Sequence, residues 1–573
     1  MSPRYNMGVP AQPPFERTTM LRRLATEEFD VVVVGGGITG TGVALDAVTR
    51  GLRTALVERD DFASGTSSKS SKLVHGGLRY LQQGEVRLVY EALRERQRLK
   101  RNAPHLVRLL PFMIPILVKD GLISKKIARA LGSALWMYDL TGGARIGRVH
   151  RRLRRASALA HMPTMDSERL SGAYLYYDTA ADDARLCLTV ARTAAAHGAV
   201  VANGARVTGI GHDASGKVST VQVDAGTSTL TIRTRVVVNA TGVWADEVRA
   251  LDEGSDPARL RPAKGVHVTV PWEKVRNTIA VIIPVPKDKR SLFLVPWGQR
   301  ADGTFQHTYV GTTDTDYDGP LDDPQCTKED LDYVLAALGA SVTTGITADD
   351  VTGTWAGLRP LVDAAPTDRT ADLSRRHSVQ VSASGVVTVT GGKLTTYREM
   401  AEDAVDAAAL LLGSDGRCRT KRLRLLGGDR RKRAGASPGS LADHLDGRHG
   451  SLAAALTHLV DADPSLGAPL VEGLPYLRAE AVYAARHEMA RSVDDVLSRR
   501  TRARLLDRRA SVEAAPEVAR LLAAEHGWDE AETSRQADEY RELCAREAQA
   551  GLGFEPNRPD GSPLPTTPLA GPR

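Results

Sequence analysis

The stretch that most constrains the fold of this chain covers residues 29–80. It opens on an unbroken run of valines at positions 31–34, which is typical of a parallel strand buried on both faces. A glycine-rich turn follows, then a helical pattern over about residues 39–50, and then a second apolar run, residues 54–57. This order predicts a strand, turn, helix and strand at the start of a parallel sheet.

The glycines of this turn stand in GxGxxG spacing, and each has a separate physical task. Gly35 permits the tight turn, Gly37 lets a pyrophosphate approach the backbone, and Gly40 lets the helix pack closely on the strand. The N-terminus of the helix offers free N–H groups and a positive dipole end to phosphate. Glu58, about 20 residues past the glycines, is placed to bind ribose hydroxyls. The unit predicts an adenine dinucleotide, but it does not distinguish FAD from NAD.

Residues 64–72, which we call the serine-rich loop, read SGTSSKSSK and continue into HGGLRY. Hydroxyls and glycine N–H groups directly behind the first unit are suited to wrap an extended cofactor. The same composition is also typical of a solvated loop, so this segment alone does not decide between the two.

Several motifs along the chain carry a resemblance to a known family. They are SSKLVHGGLRYL from Ser70, DDARL from Asp182, VVNATGVWAD from Val237, KGVHVTV from Lys264, VGTTDTDYDG from Val310, GLRPL from Gly357 and GGKLTTYREMAEDAV from Gly391. With them the chain resembles the FAD-dependent glycerol-3-phosphate dehydrogenases, in the flavoprotein group similar to D-amino-acid oxidase, over about residues 29–505. The resemblance implies that FAD oxidises sn-glycerol 3-phosphate to dihydroxyacetone phosphate and that the electrons pass to membrane quinone.

The resemblance also implies an α/β fold, with a Rossmann-type FAD-binding domain, an inserted mixed-sheet substrate domain and an all-α C-terminal domain. A chain of 573 residues is longer than one hydrophobic core usually serves. The expected plan is a leader at 1–28, an FAD-binding domain at 29–105, 165–250 and 350–412, a candidate membrane-contact insertion at 106–164, a substrate domain at 251–349, a linker and helical domain at 427–550, and a disordered tail at 551–573.

The expected cofactor-binding residues lie in the first unit, the serine-rich loop, the NATG turn and the GGKLTT turn. They are Gly35, Gly37, Ile38, Gly40, Glu58, Ser67, Ser68, Ser71, Lys72, Leu73, His75, Gly76, Gly77, Ala240, Thr241, Gly242, Gly392, Lys393, Leu394 and Thr395. The FAD is expected to be bound noncovalently.

Oxidation of a secondary alcohol by flavin requires its hydroxyl to lose a proton and the charge on the reduced flavin to be stabilised. The resemblance places Arg79 and Arg359 at the substrate, and arginine forks suit phosphate oxygens. Lys393, at a predicted helix start, is expected to bind substrate or stabilise reduced flavin. Without the resemblance, Arg359 before Pro360 is typical of a surface or salt-bridge residue, and the proline is expected to help end the local element. Two weaker substrate-site candidates are Thr313 and Asp314.

The preferred general base is His267 in KGVHV, because imidazole titrates near neutral pH and can accept the hydroxyl proton. His75, in the HGG context beside the cofactor, is the competing candidate. A structural core histidine is the alternative interpretation of His267. The expected catalytic set is therefore His267, Arg359, Lys393 and Arg79.

Residues 106–164 contain an apolar segment, an amphipathic helical pattern over 122–138 and an arginine cluster at 145–155. From the residues alone, a core helix beside a solvated basic loop is favoured. The resemblance reverses this preference, because family members contact the membrane without spanning it. It implies a cytoplasmic protein, peripherally associated with an anionic lipid surface on the inner face of the cell membrane.

The overall charge indicates which classes of binding partner are expected. A net charge of +7 and a pI near 9.2 suit anionic ligands, but there is no compact nucleic-acid module, so nucleic acid is not an expected partner. The four cysteines are scattered and form no CxxC pair, which predicts reduced thiols and no metal site. The sequence contains no run of about 18 apolar residues, so a transmembrane helix is not expected. A homodimer is a candidate assembly.

Other functions remain open at this level. An oxidase would pass the electrons to oxygen and form peroxide, and it would share most of the motifs. An amine or amino-acid oxidase of the broader fold is disfavoured by GLRPL and GGKLTTY. A non-catalytic flavin-binding membrane scaffold is disfavoured because the candidate catalytic residues are all present in their motifs.

Overall fold

The computed structural model describes residues 15–77, 85–117, 125–142, 146–254, 260–286, 290–362, 377–429 and 436–552. Its strands, in chain order, are β1 Glu28–Val34, β2 Thr54–Val57, β3 Leu73–Val74, β4 Arg108–Leu117, β5 Arg151–Arg154, β6 Leu170–Ala180, β7 Val200–Ala202, β8 Arg206–His212, β9 Val218–Asp224, β10 Thr229–Asn239, β11 Leu260–Pro271, β12 Ala280–Pro284, β13 Ser291–Gln299, β14 Phe305–Gly311, β15 Thr315–Asp316, β16 Gly353–Val362, β17 His377–Val381 and β18 Val386–Gly391.

The described helices lie between and after these strands. Those before residue 420 are Arg17–Thr26, Ile38–Thr49, Val86–Asn102, Lys125–Thr141, Arg155–His161, Asp183–Ala196, Ala245–Glu253, Trp272–Val275, Lys328–Gly339 and Tyr397–Leu412. Those after it are Leu441–His449, Ala453–Ala462, Arg478–Glu488, Ala503–Leu506, Arg508–His526 and Glu530–Leu552, with a π-helical turn at Asp495–Arg500. No helix in these described segments has the length and apolarity needed to cross a lipid bilayer.

The first sheet carries the predicted opening unit. Its strand order is β17-β18-β10-β1-β2-β7, and β8 and β9 extend it beside β10. Strand β1 pairs in parallel with both β2 and β10, and β10 pairs in parallel with β18. The valines of β1 are buried, as expected for a central strand covered on both faces. The carboxyl ends of these parallel strands therefore meet at one edge, where the glycine turn begins.

The second sheet has the order β15-β11-β14-β13-β12-β4-β6-β3, with β16 beside β11 and β5 beside β6. Strands β11 to β15 of this sheet lie in the predicted 251–349 segment, whereas β4 and β6 lie outside it. The expectation that Pro360 helps end its element is wrong, since β16 continues to Val362. Among the described strands β16 pairs only with β11, and proline is tolerated at such an edge because its missing N–H is not needed there.

The C-terminal helices have their own core, which includes Leu456, Tyr483 and Leu522. They meet the nucleotide-binding part through buried ion pairs. Arg500 Nη1 lies 2.7 Å from an Asp61 carboxylate oxygen, and Arg192 Nη1 lies 3.1 Å from Glu488. Removing one partner of such a pair leaves an uncompensated buried charge, which lowers the free energy of unfolding by about 3–5 kcal/mol. These pairs therefore make the placement of the helical domain specific.

Candidate functional site

The glycine turn brings β1, the helix Ile38–Thr49 and the serine-rich loop together. A Cβ atom added to Gly40 would lie 1.9 Å from the Gly35 carbonyl oxygen, so only glycine permits this approach. Gly35 itself has a left-handed backbone with φ of 107°. Gly37 caps the helix without a side chain, and Ile38 N donates to Ser67 Oγ at 2.9 Å. The helix N-terminus therefore faces hydroxyls rather than a carboxylate.

Glu58 directly follows β2, beside this turn, and is buried. Its carboxylate accepts hydrogen bonds from Gly36 N at 2.6 Å and Asp60 N at 2.9 Å. Burial raises the pKa of Glu58 to about 7, although both N–H donors favour the ionised form. The carboxylate thus braces the turn at the position expected for the ribose.

The NATG turn closes the other side of the glycine turn. Ala240 N donates to Val34 O at 2.9 Å, and a Cβ atom on Gly35 would lie 2.8 Å from Ala240 O. Thr241 Oγ1 donates to Asn239 Oδ1 at 2.7 Å. The predicted cofactor residues Ala240, Thr241 and Gly242 are therefore at the same sheet edge.

The serine-rich loop is ordered by hydrogen bonds to the buried Asp183 carboxylate and is not a solvated segment. Ser70 donates to the Asp183 carboxylate through its N–H at 3.0 Å and its hydroxyl at 2.7 Å. Lys72 Nζ lies 3.1 Å from Asp183 Oδ1 and 3.1 Å from Ser68 O. Burial lowers the pKa of Lys72 to about 8, and the nearby charge of Arg502 adds to this effect.

A second junction joins the HGG segment to the GGKLTT turn. His75 N donates to Thr395 Oγ1 at 3.1 Å, and that hydroxyl also lies 3.3 Å from His75 O. Gly76 N donates to Tyr138 Oη at 3.2 Å. Lys393 is the residue that caps the short helical turn Leu394–Thr396. These segments also contain the predicted residues Gly77, Gly392 and Leu394, and the predicted Leu73 lies on β3 just before them.

His267 lies on β11 with its side chain almost fully buried, at 2% exposure. Its Nε2 is 2.8 Å from Ser71 Oγ, and its ring stacks on Trp355 with centroids 4.7 Å apart. Burial lowers the pKa of His267 well below its usual value, and the charges of Lys72 and Arg359 lower it further. Nδ1 is buried and has no hydrogen-bond partner among the described residues.

Arg359 shares a sheet face with His267. Ala263 pairs with Arg359 and His267 with Trp355 between β11 and β16, and residues four apart on a strand point to one side. Arg359 Nη1 lies 2.9 Å from Asp314 Oδ1, and Nη2 donates to Thr313 O at 3.1 Å. The structure thus brings Thr313 and Asp314 to Arg359. The predicted Arg79 lies outside the described residues.

Two residues at this site were not expected to act there. The DDARL motif in the sequence marks Asp183, but the motif does not reveal that Asp183 accepts hydrogen bonds from the serine-rich loop. Arg502 comes from the C-terminal helices and carries no local signal. A phosphate-bearing cofactor with a substrate beside it fits the cradle of glycines, the helix N-terminus that faces hydroxyls, and the His267 nitrogen that has no partner among the described residues.

Family models match most of the chain. Residues 30–398 match the family described as FAD dependent oxidoreductase. Residues 418–533 match the family described as the C-terminal domain of alpha-glycerophosphate oxidase.

Individual relatives match over nearly the whole length. Glycerol-3-phosphate dehydrogenase 2 of Mycobacterium tuberculosis is 42% identical over 92% of this chain and 90% of its own. The mitochondrial glycerol-3-phosphate dehydrogenase of Homo sapiens is 36% identical over 93% of this chain and 75% of its own. The X-ray structure of the Bacillus halodurans glycerol-3-phosphate dehydrogenase complexed with FAD is 32% identical, covers 93% of this chain and 97% of its own, and superposes with a TM-score of 0.73.

Proposed function

The chain belongs to the flavin-dependent glycerol-3-phosphate dehydrogenases, and from this premise we propose that it oxidises sn-glycerol 3-phosphate to dihydroxyacetone phosphate and passes the electrons to a membrane quinone. FAD is its cofactor. The observation that most supports the substrate is the shared face of β11 and β16, where the Arg359 guanidinium and the His267 imidazole stand beside the serine-rich loop. An alcohol that carries a phosphate needs a cation fork and a proton acceptor.

The glycine turn and the helix that begins at Ile38 would hold the FAD pyrophosphate, and Glu58 would hold the ribose. The NATG turn, the HGG segment and the GGKLTT turn would enclose the rest of the cofactor. FAD supplies the acceptor for the hydride that leaves the carbinol carbon. Lys393 provides positive charge at the start of a helical turn, where it would favour an anionic flavin or the substrate.

Arg359 binds the substrate phosphate, and Asp314 orients the guanidinium through their 2.9 Å contact. The carboxylate contact fixes the plane of the guanidinium before an anion binds. Thr313 adds a backbone acceptor that fixes the same side chain. Arg79 is a further phosphate-binding proposal that rests on its motif.

His267 takes the hydroxyl proton. When Nε2–H donates to Ser71 Oγ, the lone pair of Nδ1 is the base, and the lowered pKa keeps it unprotonated at neutral pH. His75 is the competing base. Its side chain is only partly buried, and its backbone is held by Thr395.

The test is the visible spectrum of the purified holoenzyme under anaerobic conditions. Adding glycerol 3-phosphate is expected to bleach the flavin, and adding a quinone is expected to restore the colour without peroxide. An oxidase is the second candidate, because residues 418–533 match a domain named for alpha-glycerophosphate oxidase. Rapid recolouring by oxygen with stoichiometric peroxide would establish the oxidase instead. A flavin that does not bleach would reject the substrate.

We also propose that the Trp136 patch docks on an anionic lipid surface, the inner face of the cell membrane. The patch consists of Trp136, Met137, Leu140 and Val149. Trp136 is 57% exposed and Leu140 81% exposed, while exposed arginines lie close by along the chain at 148, 151 and 152. The apolar segment predicted beside it is instead buried as β4, so the helix Lys125–Thr141 supplies the exposed apolar surface. Exposed apolar groups flanked by cations suit the headgroup region of acidic lipids.

Replacing Trp136 and Leu140 together by serine is expected to weaken binding to phosphatidylglycerol vesicles about 10-fold or more, since two large apolar groups lose their burial. Flotation measures this binding. Leu410→Ser is the matched control, because Leu410 is 83% exposed but lies on the helix Tyr397–Leu412. Equal flotation of the double variant and the wild type would remove the patch from the lipid contact.

A further inference from the structure

We propose that Arg502, from the C-terminal helical domain, is a positioning residue for flavin reduction, because it fixes the serine-rich loop between the cofactor and His267. The proposal rests on the proposed function. It gives the helical domain a role in the chemistry, beyond packing against the nucleotide-binding part.

The Arg502 side chain is 1% exposed and reaches out of its own domain. Nη2 lies 2.5 Å from Ser68 O and 2.7 Å from Asp183 Oδ1, while Nη1 lies 2.8 Å from Ser498 O. Its backbone is left-handed, with φ of 81°. Non-glycine residues keep such a conformation when the surroundings determine it, and here the guanidinium is anchored at both ends of the fork.

Arg502 shares both acceptors with Lys72. Lys72 Nζ also donates to Ser68 O and to Asp183, and Ser70 adds two donors to the same carboxylate. A buried carboxylate with this many donors fixes the backbone that supplies them. Without Arg502, Ser68 O and Asp183 Oδ1 each lose their shortest contact with a cation and keep Lys72.

The clamped residues lie between the two parts of the site that must be aligned. On one side, Ser67 Oγ accepts from Ile38 N at the helix that faces the phosphates. On the other side, Ser71 Oγ contacts His267 Nε2 at 2.8 Å. A shift at Ser68 would therefore move the cofactor relative to the base, and a misplacement of about 1 Å is enough to slow a reaction about 100-fold.

A purely structural bridge between the domains would behave differently. Arg192 provides the matched comparison, because it is also buried and also joins the two domains, through Glu488 at 3.1 Å and the Tyr483 hydroxyl at 3.0 Å. Neither of these contacts involves the serine-rich loop. Loss of Arg192 is expected to lower the stability of the protein without changing the position of the cofactor relative to His267.

The experiment compares Arg502→Met, Arg502→Lys and Arg192→Met as full-length holoenzymes saturated with FAD. Anaerobic stopped-flow with glycerol 3-phosphate gives the limiting rate of flavin reduction and the apparent substrate dissociation constant. For Arg502→Met we expect the limiting rate to fall between about 10- and 100-fold, with a much smaller change in the dissociation constant and a shifted flavin spectrum. Arg192→Met should keep the wild-type rate at a lower melting temperature.

Arg502→Lys keeps the charge but loses the fork, so an intermediate rate is expected, and this variant carries the test where the methionine variant does not fold. A wild-type limiting rate in the folded Arg502 variants, or an equal loss in Arg192→Met, would overturn the proposal. A wild-type enzyme whose flavin is not bleached by glycerol 3-phosphate would instead overturn the proposed function, which keeps the two failures distinct.

Discussion

Replacing Arg359 by alanine is expected to lower kcat/KM for glycerol 3-phosphate between about 100- and 1000-fold while FAD remains bound. Truncating one partner of a desolvated charge pair costs about 2–5 kcal/mol, and each 1.4 kcal/mol is a factor of ten. The hydrogen-bond acceptors described for Arg359 lie on β11 and on the turn between β14 and β15, and none of them belongs to the glycine turn. Steady-state kinetics together with the flavin-to-protein absorbance ratio measures both expectations.

Loss of stability must be separated from loss of binding, because the Asp314 side chain is only 7% exposed and would lose its ion pair with Arg359. Arg359→Lys keeps a cation beside Asp314 but removes the bidentate fork, so it should recover stability and little of the kcat/KM. Asp314→Asn keeps the guanidinium and should cost less than Arg359→Ala. Unchanged kinetics in Arg359→Ala would remove this residue from the site.

Replacing His267 by glutamine is expected to lower the limiting rate of flavin reduction between about 100- and 10,000-fold, the usual range for a lost general base. Because burial and two cations hold the pKa of His267 well below its usual value, reduction by the wild type should vary little between about pH 6.5 and 8. His75→Asn tests the competing base. If it abolishes reduction and His267→Gln does not, the assignment must be reversed.

The same histidine affects stability with a defined sign. Its folded pKa is lower than its unfolded pKa, so the unfolded chain binds the proton first, and stability is lost as the pH falls below about 6.5 by up to about 1.4 kcal/mol per unit. Glutamine does not titrate, so His267→Gln should unfold with a weaker dependence on acid. A variant that changes this dependence and leaves flavin reduction intact would indicate a structural histidine.

Local signals explain what the sequence predicted correctly. The valine run, the glycine spacing and the acidic residue after β2 act within about 30 residues, and the glycine spacing is enforced by contacts that a larger residue would break, as at Gly40. The face shared by Arg359 and His267 required the family resemblance, since nothing local to GLRP distinguishes a ligand-binding arginine from a surface one.

Long-range geometry explains what the sequence did not predict. The strand β4 resembles a membrane segment by composition, but its pairing with β6 and β12 buries it in the second sheet. From the sequence, Pro360 is expected to end its strand, because the position of β16 at the edge of the sheet is not visible there. The contact between Arg502 and Asp183 joins residues 319 positions apart, and no periodicity or motif reports such a pair.

The order of strands in the first sheet has a consequence for synthesis. Its parallel core joins β1, β10 and β18, so the last strand of the cofactor site is complete only at Gly391. A nascent chain that has emerged as far as β10 exposes an unpaired, valine-rich edge until that point, and such edges are prone to aggregate. The parallel pairing of this site is therefore completed only after most of the chain has been synthesised, and production is expected to depend on chaperones that cover the exposed edge until then.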